Sequence, residues 1–200
     1  MSDLAPTTPT EAAQQLWQTS KPVAGTPVAI YLNHCGITIE PPRSLRYHPA
    51  RRHDATGLYL PAMLAKVVNS DGVPIGIHSI FLRMDGRGRA GVATIEITLG
   101  PCAGGGVYLG RPAPAMAVAI EVEAGLAAVQ ASGAPAVAAL SADNLRVLDL
   151  PTSVRDVVTI PAGGGAGQQA IRIATQRFEQ EGRRVRMGTT PNDIAGEAGV

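Results

Sequence analysis

Apolar positions change their spacing partway along the chain. Up to about residue 110 they come in irregular bursts broken by proline and glycine; beyond Ala115, short continuous runs alternate with stretches of helical spacing. "AMAVAI" (115–120), "PAVAAL" (135–140) and "VRDVVTI" (154–160) have the apolar, partly β-branched character of strands buried on both faces. Between them "EAGLAAVQASG" reads as a helix stopped at Gly133, and "SADNLRVLDL" as one capped at Ser141 or Asp143. "AGQQAIRIATQRFEQEG" is a long amphipathic helix with Ile171, Ala174 and Phe178 on one face, and "RVRM" a last short strand. Strands alternating with helices predict an α/β fold with a four-stranded, mainly parallel sheet over 113–200. In such sheets ligands gather beyond the carboxyl ends of the strands.

The first half has a different rhythm. Residues 1–10 are polar and rich in Pro and Thr, a loose tail by expectation, with Thr10 capping a helix from Glu11 to about Gln18 anchored by Trp17. A second helix is expected from Pro27 to Cys35, ending at Gly36. "EPPRSLRYHPARRHD" (40–54) carries too many prolines and charges to predict a regular element. Over 65–84 two β-rich runs flank Ser70-Asp71-Gly72, which predicts a β-hairpin. "GPCAGGGVYLG" (100–110) is a glycine-rich connection into a short strand. Residues 11–112 therefore read as an irregular α+β region ahead of the α/β domain.

Composition adds limits. With 45% hydrophobic and 16% charged residues the chain is globular, and its net charge of +1 gives no global case for a polyanion or a membrane surface. Charge is uneven, however: from Arg43 to Arg89 there are eight Arg and Lys against three Asp. Arg43, Arg46, Arg51, Arg52, Arg83, Arg87 and Arg89 are thus the candidate contacts for a nucleic-acid backbone, against the plainer reading of a solvated face. Cys35 and Cys102 cannot supply a four-ligand zinc site and form no Cys-x-x-Cys motif, so buried or inert thiols are expected. The N-terminus lacks the order of a signal peptide and no apolar run approaches about 18 residues. A cytoplasmic protein with no membrane partner is the expectation.

"TIPAGGGAGQQA" (159–170) runs from a strand through a glycine-rich bend into a helix. The N–H groups of Gly163, Gly164, Gly165 and Gly167 are candidates for holding a phosphate or another anion. Gln168-Gln169 stands where a Walker loop needs Lys-Ser/Thr, and a dinucleotide loop begun at Gly163 would need glycine at 168. An enzyme using this loop with His34, His48, His53 or His78 as acid/base is a further reading, though none of these has a recognisable carboxylate or Ser partner in sequence.

The order of segments resembles the Toprim-containing primase-like proteins of bacterial plasmids, phages and integrated elements over nearly the whole chain. It rests on Trp17, Gly25-Thr26, Tyr31-Leu32 and Gly36-Ile37 for the "W…GT…YL…GI" pattern, then "LRYHP" (45–49), "GIHSIFL" (76–82), "LGPCAGGGVYLG" (99–110) and "AALSADNL" (138–145). The resemblance implies a Mg²⁺-dependent site: a Glu ending the first strand of the Toprim fold, an Asp-x-Asp ending a later one, and a further Asp near the C-terminus. Matched to that pattern, Ile120 stands where the catalytic Glu belongs, Ala162 and Gly164 replace the Asp-x-Asp, and Thr190 replaces the first acid of the last run. Glu123 matches a second, non-metal Glu, and Asp193 is a residual acid. A one-residue slip would let Glu121 stand for the catalytic Glu, and it would reverse the face the side chain takes. Asp156 lies at the wrong end of its strand, and the zinc finger frequent in the family is absent.

No metal or other cofactor is therefore expected. The implied function is that of a catalytically degenerate primase-like protein of a mobile element. It would bind single-stranded DNA or another nucleic acid, or a replication or transfer protein, without catalysis. The alternatives are a protein-interaction module or inhibitor, and an active primase-type nucleotidyltransferase.

Overall fold

The computed structural model describes residues 8–188. Its contacts divide into two compact units: one of 1–36, 40–67 and 74–102, the other of 37–39, 68–73 and 103–200.

The first unit is built on an antiparallel sheet ordered β1-β2-β3-β4, with β1 Leu45–Arg52, β2 Tyr59–Val68, β3 Pro74–Phe81 and β4 Glu96–Leu99. The expected hairpin is β2–β3. Its turn is closed by Asn69, whose Oδ1 accepts from the N–H groups of Asp71 and Val73. Strand β1 corrects the reading of 40–54 as irregular. It is an edge strand, and Pro49 falls at its bulge between His48 and Arg51. At those places a missing N–H costs the ladder nothing. Strand β4 was not expected either.

Helix α1 spans Pro9–Gln18, starting two residues earlier than expected. Thr8, rather than Thr10, is its cap: the Thr8 hydroxyl accepts from Glu11 N–H while the Glu11 carboxylate accepts from Thr8 N–H. The sequence T-P-T-E supplies this capping box, and proline at the first helical position needs no partner for its absent N–H. Helix α1 packs on β3 and β4 over Ala13, Leu16, Ala62, Leu64, Ile77 and Phe81. Helix α2, Pro27–His34, buries Val28, Tyr31 and Leu32.

The second unit holds a five-stranded sheet ordered β5-β7-β6-β8-β9. Strands β6 Ala115–Ala119, β7 Ala136–Ala138, β8 Asp156–Thr159 and β9 Arg184–Met187 are the four expected and run parallel; β5, Val107–Tyr108, adds an antiparallel edge strand on β7. Helices α3 Val122–Ser132, α4 Ala142–Leu145 and α5 Gly164–Gln180 connect them. Side chains of β6 and β7 sort by alternation. Met116, Val118, Val137 and Ala139 meet Leu145, Leu148, Ile171, Ala174 and Phe178 in one core. On α3, a methyl at Gly125 would lie 2.6 Å from Leu109 Cδ1, with Ala119 and Ala136 just beyond, so only glycine allows so close an approach of the helix.

Among the described residues no helix is long and apolar enough to cross a membrane.

Candidate functional site

Two places matter, one in each unit. In the parallel sheet, β6 continues into α3 and neighbouring β8 into α5. Helix α5 contributes to the core containing Met116 and Val118, whereas α3 approaches Ala119 and Ala136 of the alternate set. Adjacent strands whose connections leave to opposite faces open a crevice at their carboxyl ends, the usual ligand position in such sheets.

Ile120 and Ala162 both stand there. A methyl group added at Gly167 would lie 3.0 Å from Ala162 Cβ and 3.6 Å from Ile120 Cδ1, so the three residues are mutual neighbours. Ile120 and Ala162 are half-buried and pack against the main core of the unit. Glu121 is instead the exposed N-cap of α3, with extended backbone (φ −93°, ψ 149°) and no capping hydrogen bond from its side chain. Glu123 lies in the first turn of α3. Thr190 and Asp193 fall outside the described residues.

The glycines of the 162–167 loop do two different things. Gly163, Gly164 and Gly165 are exposed, and a methyl on any of them would meet nothing within 4 Å; Gly164 needs its positive φ of 72°. Gly167 is buried, and its lack of a side chain lets α5 close on Ile120 and Ala162. Asp156 sits at the amino end of β8, bound to Arg184 across β9, which holds its carboxyl below the usual range. Among the described residues no three His, Cys, Asp or Glu side chains gather as a metal cluster.

The segment 138–145 also has a physical role. Asn144 donates to the carbonyls of Gly105 and Ala139 and accepts from Gly104 N–H, each at 2.8 Å. One amide thus ties the glycine-rich connection to the end of β7. Leu140, beside it, holds a left-handed φ of 74°, rare for a residue with a branched side chain.

In the first unit the seven candidate arginines separate. Arg52 pairs with Asp54 and Arg83 with Asp85. Arg89 pairs with Glu96 at 2.7 Å and donates to the Tyr31 hydroxyl, while Arg87 is exposed. Arg46, His48 and Arg51 stand opposite Leu64, Ala62 and Leu60 of β2, all three in the core beneath α1. Directly paired residues point to the same face, so Arg46, His48 and Arg51 form a row on the α1 side of the edge strand. Lys66, two residues after Leu64, extends it. Arg43, Arg46, Arg51 and Lys66 meet no carboxylate within ion-pair distance among the described residues. Burial and then Arg51 lower the pKa of His48, leaving it neutral at physiological pH.

Trp17 lies at the head of this row, with Lys66 Nζ 4.5 Å and Arg46 Cζ 5.3 Å from its ring centroid. A cavity of about 430 Å³ opens beside it between Pro22–Ala24, Glu40–Arg43, Leu45, Arg46 and Lys66. Spacing in the sequence could have revealed the alternation of Arg46, His48 and Arg51, had the proline not masked the strand.

The remaining histidines and the cysteines have other roles. His53 is buried between Thr56 Oγ1 and the Thr94 carbonyl, and His34 is exposed. His78 does have a carboxylate partner, contrary to expectation: Glu96 at 3.5 Å, with Thr98 Oγ1 on the other ring nitrogen. That pair joins neighbouring strands of the sheet, and the seventeen intervening residues hide it from any local spacing. Of the two thiols, Cys35 is exposed and Cys102 half-buried. Burial still pushes the Cys102 thiol up to about 11, which keeps it protonated and unreactive.

Residues 7–109 match the family described as a domain of unknown function, DUF7146, and residues 115–199 match the Toprim domain. No curated protein matches the chain. Among solved structures, the primase fragment of the bacteriophage T7 primase-helicase protein is similar in fold, with a TM-score of 0.50 at 9% identity over 82% of this chain. The chain spans 63% of the length of that fragment.

Proposed function

Because this chain belongs to the DUF7146 family and carries a Toprim domain after it, we propose that it is a primase-like protein that binds nucleic acid without metal-dependent catalysis. The observation that carries this reading is the contact among Ile120, Ala162 and Gly167 at the strand ends. Ile120 and Ala162 put apolar side chains, and Gly164 none, at positions matched to acids of the family. Mg²⁺ needs several hard oxygen ligands, and Glu121, which follows Ile120, faces solvent on the first connection. The residues present do not fit the ion, and no catalytic step is derived through it. Mobile-element replication or transfer is the setting the resemblance suggests.

Binding falls to the basic row of the first unit. Arg43, Arg46, Arg51 and Lys66 have no carboxylate partner among the described residues, so a phosphate backbone supplies the counter-charge. The N–H groups of Gly163, Gly164 and Gly165 offer a second, weaker anion contact at the start of α5, worth roughly 0.3–1 kcal/mol. The test is a titration of single-stranded DNA at two salt concentrations, in EDTA and in Mg²⁺. Four phosphate contacts give a slope of about −3 in log K against log salt, so a change from about 50 to about 200 mM weakens binding roughly fifty-fold. Affinity should be the same with and without Mg²⁺. No binding at the lower salt would replace this reading with a protein-interaction module.

A further inference from the structure

The cavity beside Trp17 is richer in chemistry than backbone binding needs. Its floor is basic: Arg43, Arg46 and Lys66 all line it. Its walls are apolar and stiff: Pro22, Val23, Pro41, Pro42 and Leu45. Arg46 uses one Nη2 donor on the Ser20 carbonyl at 2.7 Å, leaving Nε and Nη1 without a partner among the described residues. Lys66 Nζ makes no hydrogen bond there either. Both cations lie against one indole ring, and burial first, then the neighbouring Arg46 charge, lowers the pKa of Lys66. Glu40 is at the rim but outside ion-pair distance of all three.

Three cations against the single carboxylate of Glu40, which pairs with none of them, leave a net positive charge that suits a dianion better than a single negative charge. A phosphodiester carries one charge, whereas a terminal phosphate monoester carries about 1.5 to 2 at neutral pH. The space is within the range of small-molecule sites, roughly 300–1,000 Å³, and its prolyl and aliphatic walls suit a flat, apolar face such as a base. Arg46 and His48 are two residues apart on β1, about 6.7 Å, close to the step between phosphates in an extended single strand, and Arg51 continues the row beyond the bulge.

Resting on the reading of this protein as a nucleic-acid binder, we propose that the Trp17 cavity holds a terminal nucleotide through its phosphate monoester. Arg43, Arg46 and Lys66 take the phosphate, the apolar wall takes the base, and the following phosphates run along Arg46 and Arg51. The same chemistry is offered by a free nucleoside 5′-monophosphate and by the 5′-phosphorylated end of a strand.

Trp17 is the only tryptophan of the chain, so its fluorescence reports this cavity directly. The full chain is titrated with inorganic phosphate, thymidine, thymidine 5′-monophosphate, and a short oligothymidylate with either a 5′-phosphate or a 5′-hydroxyl. The phosphorylated strand should bind about tenfold more tightly than the hydroxyl strand. The monophosphate should perturb Trp17 where thymidine does not. If the free nucleotide binds as tightly as the phosphorylated strand, the ligand is the nucleotide itself; if the strand is clearly tighter, it is the strand end.

Lys66→Met keeps the apolar stem and should reduce the preference for the phosphorylated end to less than about twofold, while the hydroxyl strand weakens only by the loss of one phosphate contact. Arg51→Ala should weaken both strands alike. Equal affinity of the wild-type chain for the two strand ends overturns the inference and leaves the nucleic-acid reading standing. Inorganic phosphate competing as well as the monophosphate overturns the role of the base. Failure to bind either strand removes the reading beneath it as well.

Discussion

Restoring the acids at the strand ends tests the site reading where it is most exposed. The variant is Ile120→Glu, Ala162→Asp and Gly164→Asp together. Ile120 is half-buried against the core and beside Ala162 and Gly167, so exchanging it for Glu forfeits about 1–2 kcal/mol of apolar burial. Gly164 has a φ of 72°, where a side chain costs about 1 kcal/mol, although the space around it is open. Repulsion among three clustered carboxylates adds to both. In EDTA the variant should therefore be less stable than the wild type by roughly 2–4 kcal/mol. If these positions surround a place shaped for a hard cation, Mg²⁺ at about ten times its dissociation constant returns about 1.4 kcal/mol. For a chain of this length that raises Tm by roughly 3–6 °C. The assay is thermal melting followed by far-UV circular dichroism, in EDTA and in millimolar Mg²⁺. The wild type and the single Ile120→Glu variant should melt alike in both buffers, because one carboxylate is a poor ligand set. Identical melting of the triple variant in both would refute the assignment of these residues to a vacated metal position.

Three further outcomes follow from other parts of the structure. Asn144→Asp turns two donated hydrogen bonds into acceptor-on-acceptor contacts with Gly105 and Ala139; urea unfolding should show a loss of about 2–4 kcal/mol, and a neutral result would contradict the network. The Glu96 carboxyl is held below its ordinary 4.5, chiefly by the hydrogen bond from His78 and secondarily by Arg89. Its contribution is complete above that value and is lost as pH falls through the lower folded pKa, so Glu96→Gln should flatten the acid limb of stability measured from neutrality down to about pH 3. In single-stranded DNA binding, Arg51→Ala should reduce the salt slope by about 0.7. Arg83→Ala should leave that slope unchanged, since Asp85 already holds its guanidinium.

How far the sequence could be read depended on which force set each element. Strands β6, β7 and β8 and helix α5 were legible because burial on defined faces writes a period into the residues, and Gly133 marks a stop that backbone sterics require. Strand β1 was hidden since its alternation is carried by Arg46, His48 and Arg51, polar groups on an edge, with Pro49 at a bulge. Ile120 and Ala162 could be named from pattern, but their meeting at Gly167 depends on the crossover between β6 and β8. The Trp17 cavity joins Pro22, Arg43 and Lys66 from separate segments, and His78–Glu96 joins two strands; no local spacing encodes either. Thr8 was passed over for Thr10 although Glu11 three residues later marks it, a signal that was present in T-P-T-E.

The division of the chain between the two units has a consequence for synthesis. Every segment of the first unit has been made by Cys102, whereas segments 37–39 and 68–73 belong to contacts completed only by residues after 103. Thr38 awaits Gln130, to which its N–H and hydroxyl donate, and Val68 awaits Gly106, with which it exchanges backbone hydrogen bonds. At about 5–20 residues per second, the remaining 98 of the 200 residues take roughly five to twenty seconds to emerge. A nascent chain at that point thus holds every segment of the antiparallel sheet, and a hairpin tip whose partners do not yet exist. Asn69, by satisfying the N–H groups of Asp71 and Val73 from within the turn, closes that tip without help from any residue after 103.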